Sequence, residues 1–231
     1  MLEHGMMLSL RSTRSEYDLF GDGSGEALYT MNGTVADSHG LYTGNPLNIT
    51  YATGVFGQAA VTNGTTAGIL SISSTLATIL RTAASFTITA WINTNVISAS
   101  TQRVVGLLND TYLVVNVING YPSVTVLSST SVNTTVTSSL QLNTGIFYNI
   151  IVTGDAVNGI KMYIDTVLVG SGGWDGTFLT YTNASYRFNA IGVQQSTVTH
   201  LYCFNGLIDQ VRIISKSVTQ NEVIQLYNEE I

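Results

Sequence analysis

Hydrophobic and polar residues alternate one by one along much of this chain. The stretch FTITAWINT places Phe86, Ile88, Ala90 and Ile92 on one face and threonine, tryptophan and asparagine side chains on the other. A period of two residues is that of a β-strand, because successive side chains of an extended chain point to opposite faces. The pattern therefore predicts a strand with one face turned towards a hydrophobic core.

The same alternation recurs in short runs that are separated by turn sequences. Asn119-Gly120 and Asp165-Thr166 each join two such runs, as expected of tight β-hairpins. The other predicted strands are residues 27–31, 49–51, 58–61, 68–72, 103–108, 148–153, 160–164, 167–170, 186–191 and 207–214. About a dozen short strands with no helix between them predict an antiparallel β-sandwich.

A single helix is predicted, at the C-terminus. Thr219 and Glu222 have the spacing of a capping box, in which each residue's side chain bonds the other's backbone N–H. Val223, Leu226 and Tyr227 follow as an apolar stripe at positions i, i+3 and i+4. We expect this helix to close one end of the sandwich.

Residues 1–26 lack the alternation, so we separate them as an N-terminal arm from a sandwich domain at residues 27–231. The arm is either disordered or becomes ordered against a partner. We favour docking, because apolar residues are costly in a segment that stays solvated. The candidate assembly residues are Met6, Met7, Leu8 and Leu10.

Composition narrows the range of functions. Charged residues make up only 10% of the chain and the net charge is -6, so we expect no nucleic-acid partner. The single cysteine, Cys203, excludes an intrachain disulfide and a zinc site built from several thiolates. No window is long and apolar enough to span a membrane, and the first residues do not resemble a secretory signal peptide.

Several stretches, in order, resemble the laminin-G-like domain of the concanavalin A-like lectin/glucanase superfamily. They are ALYTMNGTVADSHGLYTG, ITYATGVFGQAAVTNG, FTITAWINT, IKMYIDTVLVGS, FNAIGVQ and FNGLIDQVRIISKSVTQNEVIQLYNEE, which cover residues 27–230. The resemblance implies an all-β jelly roll of two antiparallel sheets, one of which often presents a concave binding face. Family members bind sugars, proteins or calcium, and some relatives are glucanases, so the fold does not fix the function. The lead-in LFGDGSG resembles bacteriophage virion proteins.

Enzymatic activity is not expected. Retaining glucanases need two carboxylates about 5–5.5 Å apart, and those of this superfamily place them in a Glu-x-Asp-x-x-Glu motif. In this chain EYDLFG has Glu16 and Asp18, but Gly21 stands where the second glutamate belongs. No Gly-x-Ser-x-Gly motif occurs, and the three histidines are too dispersed for a typical metal motif. We therefore predict no catalytic residues and no required cofactor.

The stretch FNGLIDQVRI raises a question about Asp209. In a regular strand Asp209 shares the core face with Leu207, Val211 and Ile213, where a carboxylate needs a partner. One alternative is that Asp209 accepts backbone N–H bonds from the turn at residues 32–37, and another is that it pairs with an arginine.

The family resemblance adds a third alternative for Asp209, a calcium site. Carried over by position, the calcium ligands are Asn32, Asp37 and Asp209. Asn32 stands where the family commonly has aspartate, and the lost charge weakens such a site.

Two functions remain open at this point. The first is a structural protein of a virus particle, decorating a capsid or carried on a fibre, with capsid or other virion proteins and further copies of itself as partners. The alternative is an extracellular or cell-surface adhesion module that binds a glycan, with Trp174, Asp175 and Tyr121 as candidate ligand contacts. For Trp174, a loop residue folded back over the edge of the sandwich is the competing interpretation.

Overall fold

A computed structural model describes residues 16–108, 112–179, 187–196 and 199–228, which fold as a two-sheet β-sandwich. The predicted fold class, an antiparallel sandwich with a short C-terminal helix, is confirmed. The predicted assembly residues Met6, Met7, Leu8 and Leu10 lie outside the described residues. The strands are β1 (Gly25–Tyr29), β2 (Asn45–Leu47), β3 (Thr50–Thr53), β4 (Gln58–Asn63), β5 (Gly68–Ile72), β6 (Ser85–Thr94), β7 (Gln102–Leu107), β8 (Leu113–Ile118), β9 (Tyr121–Leu127), β10 (Asn133–Thr137), β11 (Phe147–Asp155), β12 (Gly159–Ile164), β13 (Val167–Gly172), β14 (Arg187–Ile191), β15 (Gln194–Ser196), β16 (His200–Leu201) and β17 (Asn205–Ile214).

The strands form two sheets that enclose one main hydrophobic core. Sheet A has the order β13-β12-β11-β6-β17-β4-β3, and β1 also pairs with β17. Sheet B has the order β10-β9-β8-β7-β14-β15-β16, with β5 paired to β14 and β2 paired to β5. These pairings are antiparallel. The alternating residues of β6, Phe86, Ile88, Ala90 and Ile92, all contribute to the core, as the sequence pattern predicts.

Both predicted tight hairpins are present. Asn119 and Gly120 join β8 to β9 with φ angles of 52° and 76°. Asp165 and Thr166 join β12 to β13 with φ angles of 48° and 73°. Two successive residues in the left-handed region make the turn whose twist matches that of the flanking strands.

The expectation that no helix interrupts the strands was wrong. Helix α1 (Ser74–Ala83) lies between β5 and β6 and buries Leu76, Ala77 and Leu80. The hydroxyl of Ser73 caps it by accepting the N–H of Thr75. The serine cap and the buried leucines were visible in the sequence. The alanine and threonine residues between the leucines obscured the apolar stripe of a helix.

The C-terminal helix α2 (Gln220–Asn228) begins with the predicted capping box. The N–H of Thr219 donates to Oε2 of Glu222 over 2.8 Å, and the N–H of Glu222 donates to the Thr219 hydroxyl over 3.4 Å. Val223 and Leu226 are buried in a cluster with residues of β11, β12 and β17, so α2 covers the outer face of sheet A rather than one end. Neither described helix is long and apolar enough to cross a membrane.

The described part of the predicted arm packs against sheet A. β1 begins at Gly25, and Leu19 belongs to the same apolar cluster as α2. Arg212 of β17 donates to the carbonyl of Glu16 over 2.8 Å. The domain boundary that we predicted between residues 26 and 27 therefore lies within packed structure, because residues 16–26 have partners on the sandwich.

Candidate binding cleft

A β-bulge in β17 determines which way Asp209 points. β17 pairs in register with β6 as far as Asp209, which lies opposite Trp91, and the register then shifts. Gln210 has a φ of 48°, and such an extra residue reverses the alternation beyond it. Val211 and Ile213 therefore face the core, while Asp209 lies on the outer face with Trp91. The prediction that Asp209 shares a face with Val211 and Ile213 was wrong for this reason.

Asp209 is nevertheless completely buried, because the turn between β3 and β4 covers it. Its Oδ2 accepts the N–H of Val55 over 2.9 Å and the N–H of Phe56 over 3.1 Å. Its Oδ1 is buried without a hydrogen-bond partner among the described residues. A Cβ at Gly54 would lie 2.5 Å from Oδ2, so only glycine allows the turn to approach this closely.

Burial raises the pKa of Asp209 to about 6, although backbone N–H groups, including those of Phe56 and Val55, act to lower it. Desolvation penalises the charged carboxylate, and two hydrogen bonds to one of its oxygens compensate only in part. Asp209 is therefore an acid that changes its charge close to neutral pH.

The hydrogen bonds to Asp209 come from a turn, as one alternative predicted, but from residues 54–57 rather than residues 32–37. Asp37 instead organises its own loop. Its Oδ1 accepts the N–H groups of Leu28 and His39, and its Oδ2 accepts those of Leu41 and Tyr42.

The predicted calcium ligands do not fit a calcium site. Backbone N–H donors point at both oxygens of Asp37 and at Oδ2 of Asp209, and donors at these positions repel a cation. Asn32, the third predicted ligand, lies beside the β3–β4 turn, where a Cβ at Gly57 would come within 2.8 Å of its Oδ1. No group of three or more histidine, cysteine or acidic side chains suited to a metal occurs in the described part of the chain.

An open cleft of about 550 Å³ lies between the β3–β4 turn and α2 on the outer face of sheet A. We call it the aromatic cleft. Its lining residues are Asn32, Val55, Phe56, Gly57, Trp91, Tyr227 and Asn228. None of these described lining residues carries a charge.

Three rings of the aromatic cleft are in contact. The rings of Trp91 and Phe56 are 6.1 Å apart between centroids at an angle of 72°, and Trp91 lies 5.2 Å from Tyr227 at an angle of 37°. Trp91 is only 9% exposed, whereas Phe56 and Tyr227 are half-buried and open to a ligand. Flat apolar rings next to amide donors and acceptors can bind a ligand that has both C–H and hydroxyl groups.

Trp174, a predicted ligand contact, is a core residue. Its side chain is 7% exposed and packs against Phe86 and Phe178 with centroids 5.4 and 4.7 Å apart. Its indole N–H donates to the carbonyl of Thr177 over 2.8 Å. Trp174 lines an open pocket of about 370 Å³ together with Asp175, but most of its ring is covered by the core, which agrees with the competing interpretation of a loop tryptophan folded onto the sandwich.

The structure does not bring Asp175 and Tyr121 together. Asp175 is exposed, and its Oδ1 accepts the N–H and the hydroxyl of Thr177. The loop that contains Asp175 reaches the far end of β9, where Leu179 donates to the carbonyl of Leu127. Tyr121 begins β9, so about 20 Å of strand separates it from this loop.

The sequence analysis missed most of the aromatic cleft. Phe56 offered the clearest signal, because an aromatic residue in the glycine-flanked stretch GVFG is unusual for a simple turn. Tyr227 was assigned only to the apolar stripe of α2, and Trp91 only to the face of its strand opposite Phe86 and Ile88. Their positions in the sequence are too far apart to form a motif.

Residues 63–224, more than half of the chain, match a laminin-G-like family model described as the concanavalin A-like lectin/glucanases superfamily. The chain therefore belongs to this superfamily. None of the curated proteins is similar to it in sequence.

Several solved structures share the fold. Domain 4 of AbnA, a GH43 extracellular arabinanase from Geobacillus stearothermophilus solved with arabinotriose, is 22% identical with a TM-score of 0.63, over 87% of this chain and 97% of that one. Botulinum neurotoxin type C, whose cell entry depends upon interaction with two ganglioside molecules, is 14% identical with a TM-score of 0.62, over 87% of this chain and 50% of that one. A putative carbohydrate binding protein from Bacteroides ovatus is 19% identical with a TM-score of 0.51, over 79% of this chain and 45% of that one. This chain thus spans about half of the latter two, and these identities establish the fold alone.

Proposed function

We propose that this protein is a non-enzymatic carbohydrate-binding module and that the aromatic cleft is its sugar-binding site. The observation that carries the proposal is the contact of Trp91 with both Phe56 and Tyr227 in an open cleft. Aromatic faces pack against the C–H groups of a sugar ring. The amides of Asn32 and Asn228 line the same cleft and can bond sugar hydroxyls.

The chemistry of the cleft favours an uncharged sugar. No charged side chain lines it among the described residues, and the nearby Asp209 carboxylate is buried beneath its wall. The net charge of -6 further disfavours a sialylated or sulfated ligand. We therefore expect neutral pyranose or furanose residues to bind.

The comparisons support a glycan as the class of ligand. An arabinanase domain with this fold was solved with arabinotriose, and a neurotoxin that contains the fold interacts with gangliosides. Such a role suits an extracellular or cell-surface location.

Calorimetric titration with a panel of neutral oligosaccharides tests the proposal. Phe56→Ala and Tyr227→Ala each remove one stacking surface, so we expect each to weaken binding about 5- to 30-fold. Tyr202→Ala is the matched control, because Tyr202 is 46% exposed and does not line the cleft. The proposal is wrong if no neutral oligosaccharide binds saturably, or if the control variant weakens binding as much.

Assembly on a virus particle remains a second prediction from the sequence. It depends on Met6, Met7, Leu8 and Leu10, which lie outside the described residues. Deleting residues 1–15 is the appropriate test, because residues 16–26 pack against sheet A. We expect the deletion to abolish particle association at an unchanged melting temperature, and retained association would contradict the prediction.

A further inference from the structure

One wall of the aromatic cleft is a turn that depends on a side chain from another strand. The turn at residues 54–57 contains a single internal backbone bond, from the N–H of Gly54 to the carbonyl of Gly57 over 3.0 Å. The N–H groups of Val55 and Phe56, at its apex, both donate to Asp209 of β17. The direction of the Phe56 ring is therefore set by a residue 153 positions away in the sequence.

We propose that Asp209 is the positioning residue of the aromatic cleft: it holds the β3–β4 turn so that Phe56 faces Trp91, and sugar affinity falls when its carboxylate is protonated. The effect on sugar affinity rests on the proposed function. The positioning of Phe56 does not, and it can be measured without a ligand.

The hydrogen bonding of Asp209 supports this role. Oδ2 accepts the N–H groups of Val55 and Phe56, both in the turn, and Oδ1 has no hydrogen-bond partner among the described residues. An ionised acceptor forms hydrogen bonds roughly twice as strong as those of a neutral one. Burying a carboxylate with hydrogen bonds to only one of its oxygens is costly. The same carboxylate gives the turn two strong hydrogen bonds.

Among the residues that the structure describes, few other charges surround Asp209. β6 presents Trp91 opposite it, the turn contributes no titratable side chain, and α2 contributes the phenol of Tyr227 to the cleft. On its own strand, Arg212 donates to the carbonyl of Glu16. Asp37, in the loop after β1, accepts hydrogen bonds from its own loop. Asp209 is the carboxylate that accepts hydrogen bonds from the β3–β4 turn.

The pKa of about 6 places the response in an accessible pH range. Above pH 6 the carboxylate is ionised and holds the turn with charge-assisted bonds. Below pH 6 a neutral acid accepts the same two N–H groups more weakly, so the turn loosens. We expect sugar affinity to fall about fivefold between pH 7.5 and pH 5.

Two variants test the proposal through binding. Asp209→Asn keeps an acceptor oxygen without the charge, so it should bind a neutral oligosaccharide equally at pH 7.5 and pH 5, with the affinity that the unmodified protein has at pH 5. Asp209→Ala has no acceptor for the two N–H groups. At both pH values it should bind at least tenfold more weakly than the unmodified protein does at pH 7.5. Binding by the unmodified protein that does not change with pH, or full affinity in Asp209→Ala, would overturn the proposal.

A measurement without ligand separates this proposal from the sugar-binding proposal. Amide hydrogen exchange at Val55 and Phe56 reports the turn, and the indole N–H resonance of Trp91, assigned in a Trp174→Phe background, reports the ring contact. We expect faster exchange and a shifted resonance in both Asp209 variants. If neither changes while the variants remain folded, Asp209 does not position the turn, whatever the cleft binds.

Discussion

The cost of burying Asp209 can be measured from the pH dependence of stability. Folding raises its pKa from 3.8 to about 6, and a difference of about two units corresponds to about 3 kcal/mol. Because the pKa is raised, the proton favours the folded state. This stabilisation is complete below pH 3.8 and is lost as the pH rises through 6.

Asp209→Asn removes this titration, so the difference in stability between the two proteins isolates it. Between pH 4 and pH 8 we expect the unmodified protein to lose about 2.5 kcal/mol of stability relative to Asp209→Asn, with half of the loss reached at about pH 5 and nearly all of it by about pH 7. Urea unfolding at unit steps of pH measures this difference, and the contributions of other titrating groups cancel in it.

Asp155→Asn is a matched control with the opposite shift. Burial acts to raise the pKa of Asp155, but hydrogen bonds from Ser217, Asn158 and Val157 lower it to about 2. The stability that this shift provides is lost only as the pH falls below about 4, so the Asp155→Asn difference should be flat between pH 4 and pH 8. A flat difference for Asp209→Asn as well, or a gain in stability of the unmodified protein relative to Asp209→Asn as the pH rises, would refute the account of Asp209.

Three further substitutions test other parts of the structure. Gly54→Ala places a methyl group 2.5 Å from Oδ2 of Asp209 and 2.9 Å from the N of Ala59. We therefore expect the free energy of unfolding in urea to fall by about 1–3 kcal/mol and sugar binding to weaken. An unchanged free energy of unfolding would mean that the turn can move. Thr219→Ala removes one half of the capping box and should lower the free energy of unfolding by about 1 kcal/mol. An unchanged midpoint of urea unfolding would contradict a stabilising role for the cap. Trp174→Ala should cost about 3–5 kcal/mol because it empties part of the core, with sugar affinity unchanged; lost affinity in a folded variant would restore Trp174 as a ligand contact.

The fold could be predicted from the sequence because its signals are local. Alternation in β6 and the turn residues Asn119 and Gly120 act within a few positions of each other, and the capping box at Thr219 spans four residues. α1 was missed because its apolar stripe is short and lies among alanine and threonine residues.

The site could not be predicted, for two physical reasons. The bulge at Gln210 inserts one residue without a recognisable motif, and one residue is enough to move Asp209 to the opposite face of the sheet. The aromatic cleft depends on tertiary contacts that bring Phe56, Trp91 and Tyr227 together from three separate elements.

The helix α2 supplies the third ring of the cleft from nearly the last position that the structure describes. On the ribosome, every strand of both sheets is therefore made before Tyr227 is available. The aromatic cleft would be complete only once α2 has been made. Proteolytic removal of α2 would take the Tyr227 ring out of the cleft while the described strands remained.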